Sequence, residues 1–580
     1  MKTVCTALAM ILLAAHQAHA VAIHASADPV KDEPKITEKD REHWAFKPLQ
    51  TAAGKTGIDD FGTPAAKADA ATLVRRVTFD LTGLPPTPEE IAAFLDPSDQ
   101  TDPTDLKYEA LVDRLLASPR YGEHWAQWWL DLARYAETDG FEYDAERNRA
   151  WQYRDWVIEA LNKDMPFDVF VQQQIAGDLL PGGEEKATGF LFSCPDMPDI
   201  NNQDERRHVL LNDIASTIGS VGLGLTVGCA QCHDHPYDPV SQADFYRLRA
   251  FFDNTVLTKN GKQIGPAVRV FTEGVPVSKV FVRGDFKRPG PEIKPAFPRL
   301  FGDTPPNAGR AELAKWLTGK DNALFLRAMA NRLWQQHFGR PLAAVPGDLG
   351  HQGEAPANPA LLDWLAAELP RQNWSLKKLH KVIVMSQTYR ASAQPRKRLT
   401  GEMLRDAMLA VTGTINLKAG GQSVRLPFPK EIQSTLLKKQ VQDATQDITE
   451  HQRRSIYTFA RRNARHPLFD LFDRPDALIT CSRRNESTTA PQALMLLNSE
   501  FAHDIAGRLA SRLSDEHGSD TAALIDAAIL RCYARPPTRQ ETSIGQKFLQ
   551  QQTALAPGFR DALTDYCLAL LNSNEFIYVD

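Results

Sequence analysis

Apolar residues recur at helical spacing through most of this chain. Trp125, Trp129 and Leu132 fall on one face at spacings of four and three, with Trp128 and Tyr135 alongside, and such a stripe predicts a helix buried in a core. Upstream, "LVRRVTFDLTGL" from Leu73 to Leu84 reads as a short amphipathic segment. Thr87 then offers an N-cap, Pro88 a first helical residue and Glu90 the return half of a capping box. Ser118-Pro119 opens the tryptophan-rich helix in the same way. "RAWQYRDW" (149–156) leads into two further helical stretches, broken at Pro166 and ended by Pro181. Asn212 to Val227 reads as a helix running out into the glycine-rich "VGLGLTVG", and "SQADFYRLRAFFDN" is helical again.

The pattern changes between residues 258 and 306. Short alternating runs of Val and Phe, interrupted by Gly and Pro, predict a small β-containing connector. Helical periodicity returns with "RAELAKWLTG" and "FLRAMANRLWQQHFG". Asn358-Pro359 and Ser375 start two more helices, Thr489-Ala490-Pro491 opens "QALMLLNSEFAHDIAGRLASRL", and Thr538 with Glu541 forms another capping box. The fold class expected is mainly α, with two helical domains joined by the connector. The expected divisions are 1–20, 21–40 as a flexible leader, 41–257, 258–306 and 307–580.

Composition narrows the functional classes. The 580 residues are 43% hydrophobic, enough for large cores, and carry a formal net charge of -5. No basic domain points to nucleic acid. Lys2, an apolar run from Ala7 to Ala15 and Ala18-His19-Ala20 together read as a secretory signal, too short to span a bilayer. No later stretch is long and apolar enough to cross one. The expectation is a secreted protein, periplasmic in a host with two membranes. Six cysteines follow the signal. Cys194, Cys481, Cys532 and Cys567 are scattered and read as small buried apolar residues, and only Cys229 and Cys232 form a motif.

That motif, "VGCAQCHDHPYDP", contains Cys229-Ala230-Gln231-Cys232-His233, the C-x-x-C-H pattern of covalent haem c attachment. Two thiols two residues apart present both sulfurs along one porphyrin edge, where they add to the vinyl groups. The adjacent His233 places an imidazole under the iron as proximal ligand. Zinc or non-haem iron is the alternative, although a structural zinc site wants a second, distant ligand pair that the sequence lacks. Met197 and His208 are the nearest upstream residues that could ligate the distal side. Asp234, His235 and Asp238 are candidates for orienting a ligand or for acid–base work, against an ordinary turn ahead of Pro236 and Pro239.

Several longer stretches carry a resemblance. "LVRRVTFDLTGLPPTPEE", "YGEHWAQWWLDLARYAETDGFEYD", "LGLTVGCAQCHDHPYDPVSQADFYRL", "NRLWQQHFGRPLAAVPGDLGHQGEAPANPALLDWLAAEL", "RRSIYTFARR" and "STTAPQALMLLNSEFA" resemble the paired domains of unknown function fifteen-forty-nine and fifteen-fifty-three of planctomycete-type cytochrome-associated exported proteins. Many members carry an additional N-terminal cytochrome-c-like domain, which this sequence is expected to lack, so a redox partner cytochrome would be a separate protein. The resemblance also implies complex, often sulfated, polysaccharide as the substrate class.

Two sets of charged residues fit such a role. Arg454, Arg461 and Arg465 would share one side of a helix, with Arg484 following, and arginine forks match carboxylate, sulfate and haem propionate oxygens. The plain alternative is a solvated face with local ion pairs. In the first domain, Arg154 and Asp155, near Asp139, Glu142 and Asp178 in the sequence, are candidates to line a cleft over a haem. The functional expectation is a c-type haem redox enzyme acting on carbohydrate. Its alternatives are a metal-dependent glycan hydrolase or lyase without haem, and a non-catalytic electron carrier or envelope scaffold.

Overall fold

The architecture was obtained as a computed structural model, which describes residues 28–50, 54–63, 65–95, 104–198, 200–256, 258–259, 262–263, 269–270, 277–429 and 443–580. The signal segment and the first part of the leader lie outside the described residues.

Helices dominate, and they start where the local chemistry dictates. The backbone N–H of Glu90 donates to Thr87 Oγ1 at 3.2 Å while Thr87 N–H donates to the Glu90 carboxylate at 2.9 Å, opening Pro88–Leu95. Thr538 and Glu541 repeat the exchange ahead of Arg539–Thr553. Asn358 and Ser375 cap Pro359–Arg371 and Leu376–Met385. The tryptophan stripe is core. Trp125 and Trp129 are buried on Pro119–Leu132, and the Trp129 indole donates to Gln174 at 2.6 Å.

The connector is a set of two-stranded antiparallel pieces. Thr255–Val256 pairs with Arg269–Val270, Thr258–Lys259 with Lys262–Gln263, and Lys279–Phe281 with Pro289–Glu292. Outside it, Lys397–Arg398 pairs with Tyr578–Val579, so the C-terminus closes onto the middle of the chain.

Three features differ from the sequence reading. Residues 28–41 are not loose: the Glu33 carboxylate takes Arg247 at 2.6 and 2.8 Å and Arg299 at 2.9 Å, and Arg41 donates to the Leu300 carbonyl. The segment after Thr489 is two helices, Ala490–Asn498 and Glu500–His517, because Ser499 turns extended and caps the second. Residues 453–466 are not a helix. They form one short 3-10 turn, Ser455–Tyr457, inside an extended run held by parallel bridges to Asn416 and Val424.

The cores do not divide at the connector. One runs from Ala45 through Val384 and Tyr389, takes in the helices Arg310–Leu317, Ala323–Phe338 and Pro359–Arg371, and adds Ile456, Tyr457, Ala460 and Ala534 from further along the chain. The second is built from Leu399 to Val579, with Phe79 reaching in from the first half. Phe325 stacks on Phe167 at 6.2 Å, and Arg332 caps the carbonyls of Ser220 and Val221 at 2.6 Å.

Candidate functional site

The helix Gln203–Thr217 widens into a π-turn at Ile218–Leu223 and delivers the chain to a 3-10 turn, Val227–Gln231, which carries the first cysteine. Wide turns of this kind concentrate where a helix must be re-aimed. The turn is anchored from behind. Tyr246 Oη and the Gln242 amide donate to the Gln231 carbonyl at 3.1 and 3.0 Å, and Gln242 N–H donates to Asp234 at 2.8 Å.

Cys229 is exposed and Cys232 half-buried; neither is in a disulfide, whereas Cys194, Cys532 and Cys567 are buried. Partial burial pushes the Cys232 thiol up. Its sulfur rests against Gly284, which is left-handed at φ 71°, and a side chain there would start 2.7 Å from the sulfur. His233 is half-buried and its Nδ1 sits 2.7 Å from the Asp234 carbonyl, an arrangement that puts the proton on Nδ1 and leaves Nε2 as an acceptor. Two accessible thiols and an imidazole oriented through its other nitrogen fit covalent haem.

The remaining motif residues face inward. His235 Nδ1 accepts the backbone N–H of Asp238 at 2.8 Å and of Tyr237 at 3.3 Å, and its Nε2 meets Thr226 Oγ1 at 3.2 Å. Burial lowers its pKa. Asp234 spends one oxygen on Gln242, and burial raises it. Burial also opposes ionisation of Asp238, but two bonds from His351, N–H at 2.8 Å and Nδ1 at 2.9 Å, outweigh it and lower the pKa. Among the described residues no three His, Cys, Asp or Glu side chains converge to hold a metal ion. Of the four residues considered for a non-haem ion, His233 turns to the Asp234 carbonyl, Asp234 to Gln242, and His235 and Asp238 to each other, with Asp238 also taken by His351.

The distal candidates occupy other surroundings. His208 is buried edge-on to Phe281, with Nε2 3.1 Å from the Gly284 carbonyl and 3.0 Å from the Asn212 amide, and burial with Arg249 nearby pushes it down to about 4. Met197 is exposed, in the turn before Gln203–Thr217. Arg154 and Asp155 form a clamp. Arg154 is fully buried, bonded to Asp155 at 2.7 Å, to Ser423 and to the Gly421 carbonyl, while Asp155 accepts Gly421 N–H at 2.6 Å. They tie Trp151–Asn162 to the 420–423 loop.

The three arginines expected on one face, Arg454, Arg461 and Arg465, are split, and Arg484 joins the first. Arg454 is buried between Asp406 and Glu123 at 2.9 and 3.0 Å, and Arg484 forks between Asp131 and Glu402 at 2.6 and 2.7 Å. Both line a cleft between the tryptophan helix, Ala323–Phe338 and Gly401–Thr412. Arg461 lies 3.6 Å from Asp144, and Arg465 pairs with Asp470, on a different recess.

Residues 59–256 match PSCyt2, a family of unknown function (DUF1549), and residues 309–549 match PSD1, likewise of unknown function (DUF1553). The chain belongs to the proteins that pair these two domains. No curated protein and no solved structure matches it.

Sequence reasoning missed the contribution of the PSD1 domain to the motif. Asp348 accepts Thr226 Oγ1 at 3.2 Å, Leu349 N–H donates to the Gly224 carbonyl at 2.6 Å, and His351 holds Asp238. Gly350 fits only as glycine, since a Cβ would lie 2.3 Å from the Asp238 carboxylate. The signal was present in "GDLGHQG", where closely spaced glycines flank an acid and a histidine.

Proposed function

We propose that this PSCyt2–PSD1 protein is an exported c-type haem protein, with Cys229 and Cys232 as thioether donors and His233 as proximal ligand, working as a redox enzyme on carbohydrate. One observation carries the reading: the exposed Cys229 and half-buried Cys232 thiols flank one short turn, followed by an imidazole whose Nδ1 is already committed to the Asp234 carbonyl. Each thiol would add across a vinyl group, its hydrogen going to the vinyl carbon, so attachment consumes no oxidant. Bound haem would supply a one-electron redox centre. His235, Asp238 and the 348–351 loop would hold the turn in register, and a separate cytochrome is the proposed redox partner.

The periplasmic or secreted location rests on the leader pattern. In keeping with it, no helix among the described residues is long and apolar enough to cross a membrane. Complex, acidic polysaccharide is the proposed substrate class, supported by the resemblance.

The test is the visible spectrum of protein exported from cells competent in haem c maturation, repeated after denaturation in alkaline pyridine, with the intact mass. A haem band that survives denaturation, with one haem added to the mass, is the expected result. Neither signal, beside a matured control cytochrome, would refute the haem reading. A six-coordinate haem that neither binds external ligands nor turns over carbohydrate would leave an electron carrier.

A further inference from the structure

The cleft that holds Arg454 and Arg484 contains polar groups that the fold leaves unused. Most of its charged wall is spent internally: Asp80 on Lys397 at 2.5 Å, Asp131 and Glu402 on Arg484, Glu123 and Asp406 on Arg454. The indole N–H groups of Trp125 and Trp128 and the Gln335 side-chain oxygen are different. All three residues line the cleft, all are buried, and none of these atoms has a hydrogen-bond partner among the described residues. Buried donors and acceptors are ordinarily satisfied, so three orphans around one cavity imply a ligand or ordered water that completes them. His124, half-buried in the same wall, makes no hydrogen bond to a described residue; burial and the nearby Arg454 push it down to about 3, so it presents a neutral imidazole.

The cavity, of about 150 Å³, opens onto a second groove of about 460 Å³ that shares Lys397, Arg483 and Arg484 with it. Two guanidinium groups at this mouth, Arg340 and Arg483, have no carboxylate partner among the described residues and face one acid, Glu486. Inside, neutral donors and acceptors suit hydroxyl groups; outside, free guanidinium suits an oxyanion.

We propose that this cleft binds an acidic sugar unit, with Arg483 meeting its carboxylate or sulfate and Trp125, Trp128, His124 and Gln335 meeting its hydroxyls. The inference rests on the carbohydrate part of the proposed function and assigns it to a place remote in sequence from the haem motif. Arg483 is the residue that distinguishes acidic from neutral sugar.

The test uses the full-length protein, both haem-loaded and prepared without haem maturation, titrated with D-glucuronate and D-glucose 6-sulfate against D-glucose at matched ionic strength. Calorimetry and tryptophan fluorescence give the affinity. At least one acidic sugar is expected to bind saturably and about 10-fold or more tighter than glucose, the margin of one charge-assisted hydrogen bond. Arg483→Ala, at an exposed position, should remove that margin, and Trp128→Phe should weaken both classes of sugar with the circular dichroism unchanged. No saturable binding of either acidic sugar, equal affinity for glucose, or an Arg483→Ala protein that binds like wild type would overturn the proposal. Haem content is read on the same samples: haem present with no sugar bound defeats this inference alone, and sugar bound by protein that carries no haem even from maturation-competent cells supports it while defeating the redox reading.

Discussion

The Arg484 fork gives the sharpest test of what the cleft wall does. Its guanidinium holds Asp131 of the PSCyt2 domain and Glu402 of the PSD1 domain, two carboxylates from opposite halves of the chain, with both carboxylates largely out of water. Burial alone would raise Glu402; Arg484 and then Arg474 more than reverse it and bring it from 4.5 down to about 2. That displacement corresponds to about 3 kcal/mol in favour of the charged form. Because the folded value is depressed, the stabilisation is fully present above pH 4.5 and is lost as pH falls from there toward about 2. Arg484→Met keeps the bulk but strands two carboxylates, so the expected cost near neutral pH is about 3–5 kcal/mol, toward the lower end because Arg474 remains 3.5 Å from Glu402. About 1 kcal/mol of that cost should vanish by about pH 3.5, where Glu402 of the variant takes up a proton while that of the wild type stays ionised. Urea unfolding followed by tryptophan fluorescence at both pH values, with Arg484→Lys alongside, reads the difference. A loss below about 1 kcal/mol at neutral pH, the range of an exposed pair, or a loss independent of pH would show that the fork is not a buried clamp.

Other perturbations probe the motif and the scaffold. Gly350→Ala drives a methyl into the Asp238 carboxylate and should cost about 1–3 kcal/mol in chemical unfolding; an unperturbed midpoint would mean that the 348–351 loop does not bear on the motif. In protein made without haem maturation, iodoacetamide should label Cys229 first and Cys232 more slowly, and should reach Cys194, Cys532 and Cys567 only on unfolding, as peptide mass mapping will report. Trp129→Ala removes a buried indole and leaves Gln174 with Tyr153 as its remaining donor, for an expected loss of about 3–5 kcal/mol by the same unfolding assay. Thr538→Ala should cost about 1 kcal/mol, with the loss visible in hydrogen exchange confined to the start of Arg539–Thr553.

What the sequence disclosed was local. A cap is decided by four consecutive residues, and both Thr-x-x-Glu boxes formed as their spacing requires. The Trp125–Trp129 stripe was equally self-contained. The arginine run from 453 to 465 was misread because its density of charge suggested a helix face, whereas its backbone is held extended by Asn416 and Val424, partners that no local window contains. The same holds for Asp238 and His351, which meet across a separation of 113 residues, and for Glu33, whose carboxylate pins the leader to Arg247. Pairings of this kind depend on tertiary contact, and a charged residue carries no periodic signal that names its partner.

The 345–351 segment then explains why the two domains occur as one unit. Its Asp348, Leu349 and His351 grip the chain on both sides of the cysteine–histidine turn, at Thr226, Gly224 and Asp238. One residue earlier, Gly347 lies against Ser482, so close that a Cβ would stand 2.8 Å from its hydroxyl, and Ser482 belongs to the wall of the arginine-lined cleft. A single short loop of the PSD1 domain thus borders the cysteine–histidine turn on one side and the proposed sugar cleft on the other. Neither surface is complete within its own stretch of sequence: the turn needs carboxylate and imidazole from the second domain, and the cleft needs Trp125, Trp128 and Asp131 from the first. Shared construction, rather than a flexible tether, is what joins the pair of domains.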